Sequence, residues 1–372
     1  MSDDGVEARK PASDKPASKM TPRRIISFVV SIAIVIAIFV WAIPKFADYG
    51  AVWSSIQTLT PIEFVSLFAV MLFNLLTYWW ANQAALPGLR LGQAAVLTQT
   101  TTSVANTMPA GGAIAVGLTY TILASWGFSG TDVALYVAVT GVWNIFLKLA
   151  LPVVGLALLA ATGELTSAYQ IAAIVGVATL AVAVAILVLI FRSEHLARRI
   201  GDALARPISF VRRLFHKPPI TDGGERAAQF RRDTIQLIEG RWVRLTFTTL
   251  LSQLTLYAVL LLSLRHMGVS ESEVSAVAVF AVFAFSRLLS AIPITPGGAG
   301  IIDLGYVGGL TALVDGSDAQ IVAAVLLFRL LTYGIQIPLG AFTYLIWRGK
   351  QSWRRQPDTA PVDTTPSRVT TA

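Results

Sequence analysis

Apolar residues in this chain fall in runs too long for the core helices of a soluble domain. A helix needs about 20 apolar residues to cross a bilayer, and the stretches 25–43, 62–83, 168–191, 243–264 and 273–292 reach that length, the last with Arg287 inside it. The stretches 131–161 and 318–347 are longer than one upright span requires, which predicts a strong tilt or a break. Each carries a proline, Pro152 or Pro338, able to break it. The stretch 91–126 differs, being weakly apolar, rich in Thr, Gln, Asn and Gly, and interrupted between Asn106 and Gly112. Irregular backbone is tolerated at membrane depth only where it lines protein or a cavity. This stretch, like 273–313, therefore predicts a helical hairpin with a Gly-rich tip, either re-entrant or a pair of short spans.

The ends, 1–24 and 348–372, are rich in Pro, Ser, Thr, Asp, Lys and Arg and predict disordered tails. The first apolar run follows Arg23 and Arg24 as a signal peptide would. It is long for such a segment and no small-x-small cleavage site follows closely, so it reads as an uncleaved span. Composition agrees with a membrane chain: 55% of the 372 residues are hydrophobic and 13% charged, with a mean hydropathy of +0.66, where a soluble domain carries about 25% charge. The fold class expected is an all-α polytopic integral membrane protein of about six full spans plus two hairpins. The absence of cysteine excludes a disulfide framework, a thiol nucleophile and a cysteine metal site, and His195, His216 and His266 are too scattered to form a cluster. No metal or cofactor is expected.

An internal repeat organises the spans. An offset of 186 positions joins Gly111 to Gly297, and also Gly112 to Gly298, Ala113 to Ala299, Leu118 to Leu304, Tyr120 to Tyr306, Gly130 to Gly316, Asp132 to Asp318, Ala138 to Ala324, Val139 to Val325 and Pro152 to Pro338. Shared apolar composition does not account for matched Gly, Asp and Pro. Repeat 1 then covers 62–161 within a first membrane half of 25–191, and repeat 2 covers 243–347. Between the halves, the segment 192–242 is basic. Extended to residue 244, it carries twelve Lys or Arg against six acids, as a cytoplasmic loop should. Placing Arg23 and Arg24 inside puts every basic cluster inside and both termini in the cytoplasm, with the repeats oppositely oriented, the architecture of secondary transporters. The net charge of +8 is thus topological, facing anionic lipid of the cell membrane and not nucleic acid. Within the basic segment, Leu196, Ile200, Leu204, Ile208, Val211 and Phe215 fall at helical spacing and predict an interfacial helix.

Two tips and four charges carry the candidate chemistry. Pro109-Ala110-Gly111-Gly112 and Pro296-Gly297-Gly298-Ala299-Gly300 sit where the hairpins turn. A helix leaving such a tip points unpaired N–H groups and a positive dipole end at the midplane, a site for an anion such as phosphate, although a Gly-rich tip also serves close packing. Charges within spans are costly and mark function by default, and here they are Lys148, Arg287, Arg329 and Asp303. Their repeat equivalents are uncharged, so the site is weighted toward repeat 2. A buried ion pair of Asp303 with Arg287 or Arg329 is the structural alternative, compatible with a substrate role. Polar residues of the first hairpin, from Gln93 through Thr98, Gln99 and Thr102 to Asn106, line a head-group path or bond to neighbouring helices. Gly127-Phe128-Ser129-Gly130 is similar to the serine motif of rhomboid proteases, but its repeat copy is a plain loop and no histidine is placed to act as base.

The run from Pro296 to Asp303, with Arg287 before it and Phe328-Arg329-Leu330-Leu331-Thr332-Tyr333 and Pro338 after it, resembles the transmembrane-region family of the lysylphosphatidylglycerol synthase/flippases. That family usually has Glu at the Asp303 position, and its bifunctional members continue into a soluble aminoacyltransferase domain. The resemblance implies the lipid-translocating half without the synthase half, hence more a transporter than an enzyme. Its substrate would be a phosphate-bearing lipid: an aminoacylated or anionic phospholipid, or a polyprenyl-phosphate carrier. The expected head-group site comprises Gly111, Gly112, Gly297, Gly298 and Gly300 at the tips with Arg287, Arg329, Lys148, Asp303 and Tyr333. The alternative function is a membrane enzyme or scaffold accessory to lipid-linked glycan or phospholipid biosynthesis, partnered by a separate biosynthetic enzyme or a second copy of the chain.

Overall fold

The computed structural model describes residues 49–108, 111–163, 222–290, 295–314, 316–350 and 353, with scattered positions between 178 and 209. The expected first span, most of 168–191 and of the amphipathic stretch 196–215, tip residues Pro109 and Ala110, and the tails lie outside the described residues, apart from 348–350 and 353 at the C-terminal end. Among the described residues, eleven α-helices with defined bounds follow in order: α1 Tyr49–Gln57, α2 Pro61–Ala85, α3 Leu91–Thr107, α4 Gly111–Ser125, α5 Gly130–Thr162, α6 Gly223–Glu239, α7 Trp242–His266, α8 Ala276–Leu289, α9 Ile301–Thr311, α10 Asp318–Arg329 and α11 Gln336–Gly349. No strand occurs among the described residues. Helices α2, α5, α7 and the rod made by α10 and α11 are long and apolar enough to span a bilayer, and α4 and α8 are shorter apolar helices. The protein is an all-α, multi-pass membrane protein.

Local chemistry sets the helix boundaries. Thr60 caps α2 and exchanges hydrogen bonds with Glu63, while Pro61 occupies the first helical position, where its missing N–H costs nothing. Ser129 and Asp132 form the same reciprocal cap on α5. Ser275 caps α8. In the loop before α8, Glu273 accepts hydrogen bonds from Ser270 and from Ser317 at the start of α10, which pull its pKa down to about 2. The loop is thereby tied to the α10 end.

The two prolines behave differently. Helix α5 runs unbroken through Pro152, so its 33 residues, about 50 Å, must tilt. The second long stretch is interrupted, and not at Pro338 itself: a π turn over Leu330–Gly334 precedes it, with Ile335 N–H bonded to Leu330 C=O at 2.9 Å. A proline ring crowds the carbonyl four residues earlier, which here is Gly334 at the end of that turn.

Helices α2 and α7 pack along their length and form the centre of the larger apolar core. Polar groups between them are paired: Asn74 Nδ2 donates to Ser252 C=O at 2.9 Å and Thr255 Oγ1 at 2.8 Å. Helix α11 packs as extensively on α3, and α8 lies against α5. The α3–α11 approach depends on Gly340, where a Cβ would collide with the Gln99 carbonyl and the Ser103 side chain. Ser103 then donates to Ile337 C=O, and Thr100 meets Thr343, each at 3.0 Å.

Gly340→Ala is expected to destabilise the purified protein by about 1–3 kcal/mol, because backbone carbonyls cannot yield as a flexible side chain can. Gly141→Ala on α5, where a Cβ meets nothing within 4 Å, should be neutral or stabilising by about 0.5–1 kcal/mol. Thermal unfolding in detergent compares the two, and equal melting temperatures for both variants would contradict this account of the packing.

Candidate functional site

A cavity of about 210 Å³ opens among α2, α3, α7, α8, α9 and the α10–α11 rod. Arg287 and Arg329 line it together with Gly297 and Tyr333, and so do neutral polar side chains that include Tyr78, Gln99, Thr102, Asn106, Ser290 and Gln336. Arg329 ends α10, and its Nε lies 2.5 Å from Asp303 Oδ1. Asp303 is 1% exposed and sits in the first turn of α9, where its other oxygen accepts the Gly300 N–H at 2.7 Å. One carboxylate thus neutralises an arginine and closes a helix end. Arg329 also lies 4.5 Å over the Tyr333 ring, yet its Nη2 is buried without a partner.

Among the described residues Arg287 has no acid beside it. Its Nε donates to the buried Gln253 Oε1 at 3.1 Å, and among the described residues its terminal nitrogens have no hydrogen-bond partner. Gln99 is 1% exposed and neither its Oε1 nor its Nε2 has a partner. Two guanidinium groups therefore line the cavity, and the carboxylate nearest them, Asp303, is engaged by Arg329.

Tyr333 connects the tips. Its hydroxyl lies 2.7 Å from Asn106 C=O, at the end of α3, and 3.1 Å from Pro296 C=O. Gly297 has φ +57°, and a Cβ there would strike both the Tyr333 ring and the Asn106 side chain. Only glycine admits this approach.

The other candidate residues are placed less directly. Gly111 and Gly112 do not line the cavity. The Gly111 N–H bonds to Met108 C=O, and the Gly298 N–H to Thr295 C=O. With Gly300 given to Asp303, three of the N–H groups expected to face an anion already have protein partners. Lys148 on α5 is also absent from the lining, although it feels the charge of Arg287. Conversely, Gln253, Tyr78 and Gln336 were not singled out by the sequence, since a neutral polar residue within a helix gives no signal of which way it faces.

Two apolar grooves flank the cavity. One, about 830 Å³, lies between α3, α4 and α11 and includes Thr100, Ser103, Ile114 and Leu345. The other, about 380 Å³, lies between α5, α8 and α9 and includes Leu159, Ser286, Leu289 and Gly305. Helix α3 separates the first from the cavity and α8 the second.

A different constellation joins α2 to α7. Ser66 Oγ is 2.9 Å from His266 Nε2, and His266 Nδ1 is 3.7 Å from Glu63. Ser66 lies inside a helix whose neighbouring N–H groups are bonded, and its hydroxyl donates to Glu63 C=O. The group bridges the two helices. No cluster of three or more His, Asp or Glu able to hold a metal occurs among the described residues.

Comparison with known proteins gives one family. Residues 27–340 match the family described as the lysylphosphatidylglycerol synthase TM region, and the chain belongs to it. No curated protein matches the sequence.

Asp303→Ala should strand Arg329 as a buried, uncompensated charge and cost about 3–5 kcal/mol. Replacing both partners, Asp303→Ala with Arg329→Met, should recover a large part of that loss. Melting temperatures in detergent decide the matter, and a double variant no more stable than the single would show that the pair's charges do not balance each other.

Proposed function

We propose that this protein moves a phosphate-bearing lipid between the leaflets of the cell membrane by alternating access. The observation that carries the reading is the cavity itself: two arginines, one of them without an acid among the described residues, around a lining of neutral polar side chains. Partly buried cations of this kind are stabilised when a ligand anion completes them. The family's description supports a link to lipid metabolism or transport.

In this reading the membrane part consists of two inverted repeats, with both termini in the cytoplasm. The 186-residue offset relates α3 to α8, α4 to α9 and α5 to the α10–α11 rod, and the extensive α3–α11 and α5–α8 contacts occupy corresponding places. The grooves correspond too, through Thr100 and Ser286, Ser103 and Leu289, and Leu345 and Leu159. Rocking one repeat against the other would expose the cavity to each leaflet in turn.

The test is lipid reorientation in proteoliposomes, comparing fluorescent phosphatidylglycerol, its lysyl ester, phosphatidylcholine and a short polyprenyl phosphate. Arg287→Gln is the variant of choice, because the partner of Arg287 is neutral and its removal strands no charge. Movement of an anionic lipid that falls at least about tenfold in this variant is the expected result. If the folded protein moves no lipid, the enzyme or scaffold alternative takes its place. For the repeats, single cysteines at Ala113 and Ala299 should label from opposite faces of the membrane or from neither, and same-side labelling would overturn the inverted arrangement.

A further inference from the structure

The second hairpin tip is bonded almost entirely to itself. Thr295 Oγ1 donates to Ala299 C=O, the Gly298 N–H reaches Thr295 C=O, the Ala299 N–H reaches Pro296 C=O and the Gly300 N–H reaches Asp303. Among the described residues, the one hydrogen bond that ties 295–300 to anything beyond this turn and the first turn of α9 is the 3.1 Å contact from the Tyr333 hydroxyl to Pro296 C=O. We propose that Tyr333 is the clasp of a gate, and that the cavity opens when this tip slides out from between Tyr333 and Asn106. The inference concerns access to the cavity and holds for any occupant.

The jaws of the clasp are fixed and the tip is not. Arg329, paired with Asp303, lies 4.5 Å over the Tyr333 ring. Asn106 belongs to the last turn of α3, which packs along α11. Between them, the tip is a 3₁₀ turn, Pro296–Gly298, none of whose residues is buried. A Cβ at Gly297 would strike both jaws, so the fit admits the bare backbone and nothing larger. Because Asp303 holds the start of α9, opening is a swing of the tip about Gly300, at φ +81°, and not a withdrawal of the helix.

Two further observations separate a gate from a static brace. Asn106, Gly297 and Tyr333 all line the cavity, so the clasp is part of its wall. The hydrogen bonding is also arranged for release. A tyrosine hydroxyl has one proton, and here it faces two carbonyls, Asn106 at 2.7 Å and Pro296 at 3.1 Å. Pro296 C=O already accepts the Ala299 N–H. When the tip leaves, Tyr333 keeps Asn106 and Pro296 keeps Ala299, and no carbonyl of the clasp loses its last donor. A contact that breaks without stranding a buried polar group escapes the main penalty of a lost hydrogen bond.

The chain has no cysteine, so serine-to-cysteine replacements of nearly equal shape can report on access. Ser290→Cys places a thiol in the cavity lining, and Ser263→Cys places one at a position 0% exposed on α7. The measurement is the rate of modification by a small methanethiosulfonate reagent on the full-length protein in detergent. Each probe is compared with and without Tyr333→Phe, which keeps the ring under Arg329 and removes the hydroxyl alone. Ser290→Cys should react at least about threefold faster in Tyr333→Phe, the factor expected for one lost hydrogen bond, while Ser263→Cys stays protected. Should Tyr333→Phe fail to fold, Gly297→Ala decides in its place: its added Cβ unseats the tip and should accelerate Ser290→Cys in the same way. An unchanged rate at Ser290→Cys would overturn the clasp. Equal acceleration at Ser263→Cys would do so too, since it marks a general loosening in which Tyr333 is only structural. Lipid reorientation separates this inference from the proposed function. Faster modification in a protein that moves no lipid leaves the gate and removes the lipid, whereas lipid movement with an unchanged rate removes the gate alone.

Discussion

The ion pair between Arg329 and Asp303 holds the centre of this molecule. Asp303 is almost wholly buried, and an ionised carboxylate there is tenable only because a guanidinium lies beside it and a backbone N–H closes its other oxygen. Through that N–H the pair fixes the start of α9. Through Arg329 it fixes the end of α10 and the position of the Tyr333 ring, whose hydroxyl meets the backbone of both hairpin tips. Removing either charge would disturb three helix ends together.

This economy bears on the proposed lipid site. A single arginine bound to a single aspartate would be electrically closed and would ask nothing of a ligand. Arg287 keeps the cavity open in the electrostatic sense, since Gln253 orients its guanidinium without neutralising it. In the proposed reading, structural pairing and ligand binding, which the sequence posed as alternatives for these charges, would be divided between two arginines.

Much of the architecture was legible in the chain because membrane burial leaves a strong imprint. The spans at α2 and α7, and the interruption between α3 and α4, follow from apolar run length and from Gly and Pro at the tips. Arg287, Arg329 and Asp303 stood out since each is a charge in an apolar run. Gln99 did not stand out from Thr98, Thr100 or Thr101: all are polar residues on one helix, and the hydroxyls of Thr98 and Thr101 bond to their own helix backbone while Gln99 bonds to nothing. Only packing reveals that difference. Lys148, an equally conspicuous charge, does not line the cavity. The π turn had no signature beyond Pro338, because its cause lies in steric crowding one turn earlier.

That turn has a geometric consequence. A π turn holds one residue more than the α-helical turn it replaces, and one residue of an α-helix corresponds to about 100° of rotation. Everything beyond Gly334 is therefore swung round the rod axis relative to an uninterrupted helix. Gly340, Thr343 and Ile337 meet α3 only with this phase. The azimuth of α11, and with it the identity of the residues that seal α3, is decided five residues at a time at Leu330–Gly334, immediately beside the arginine at the cavity wall.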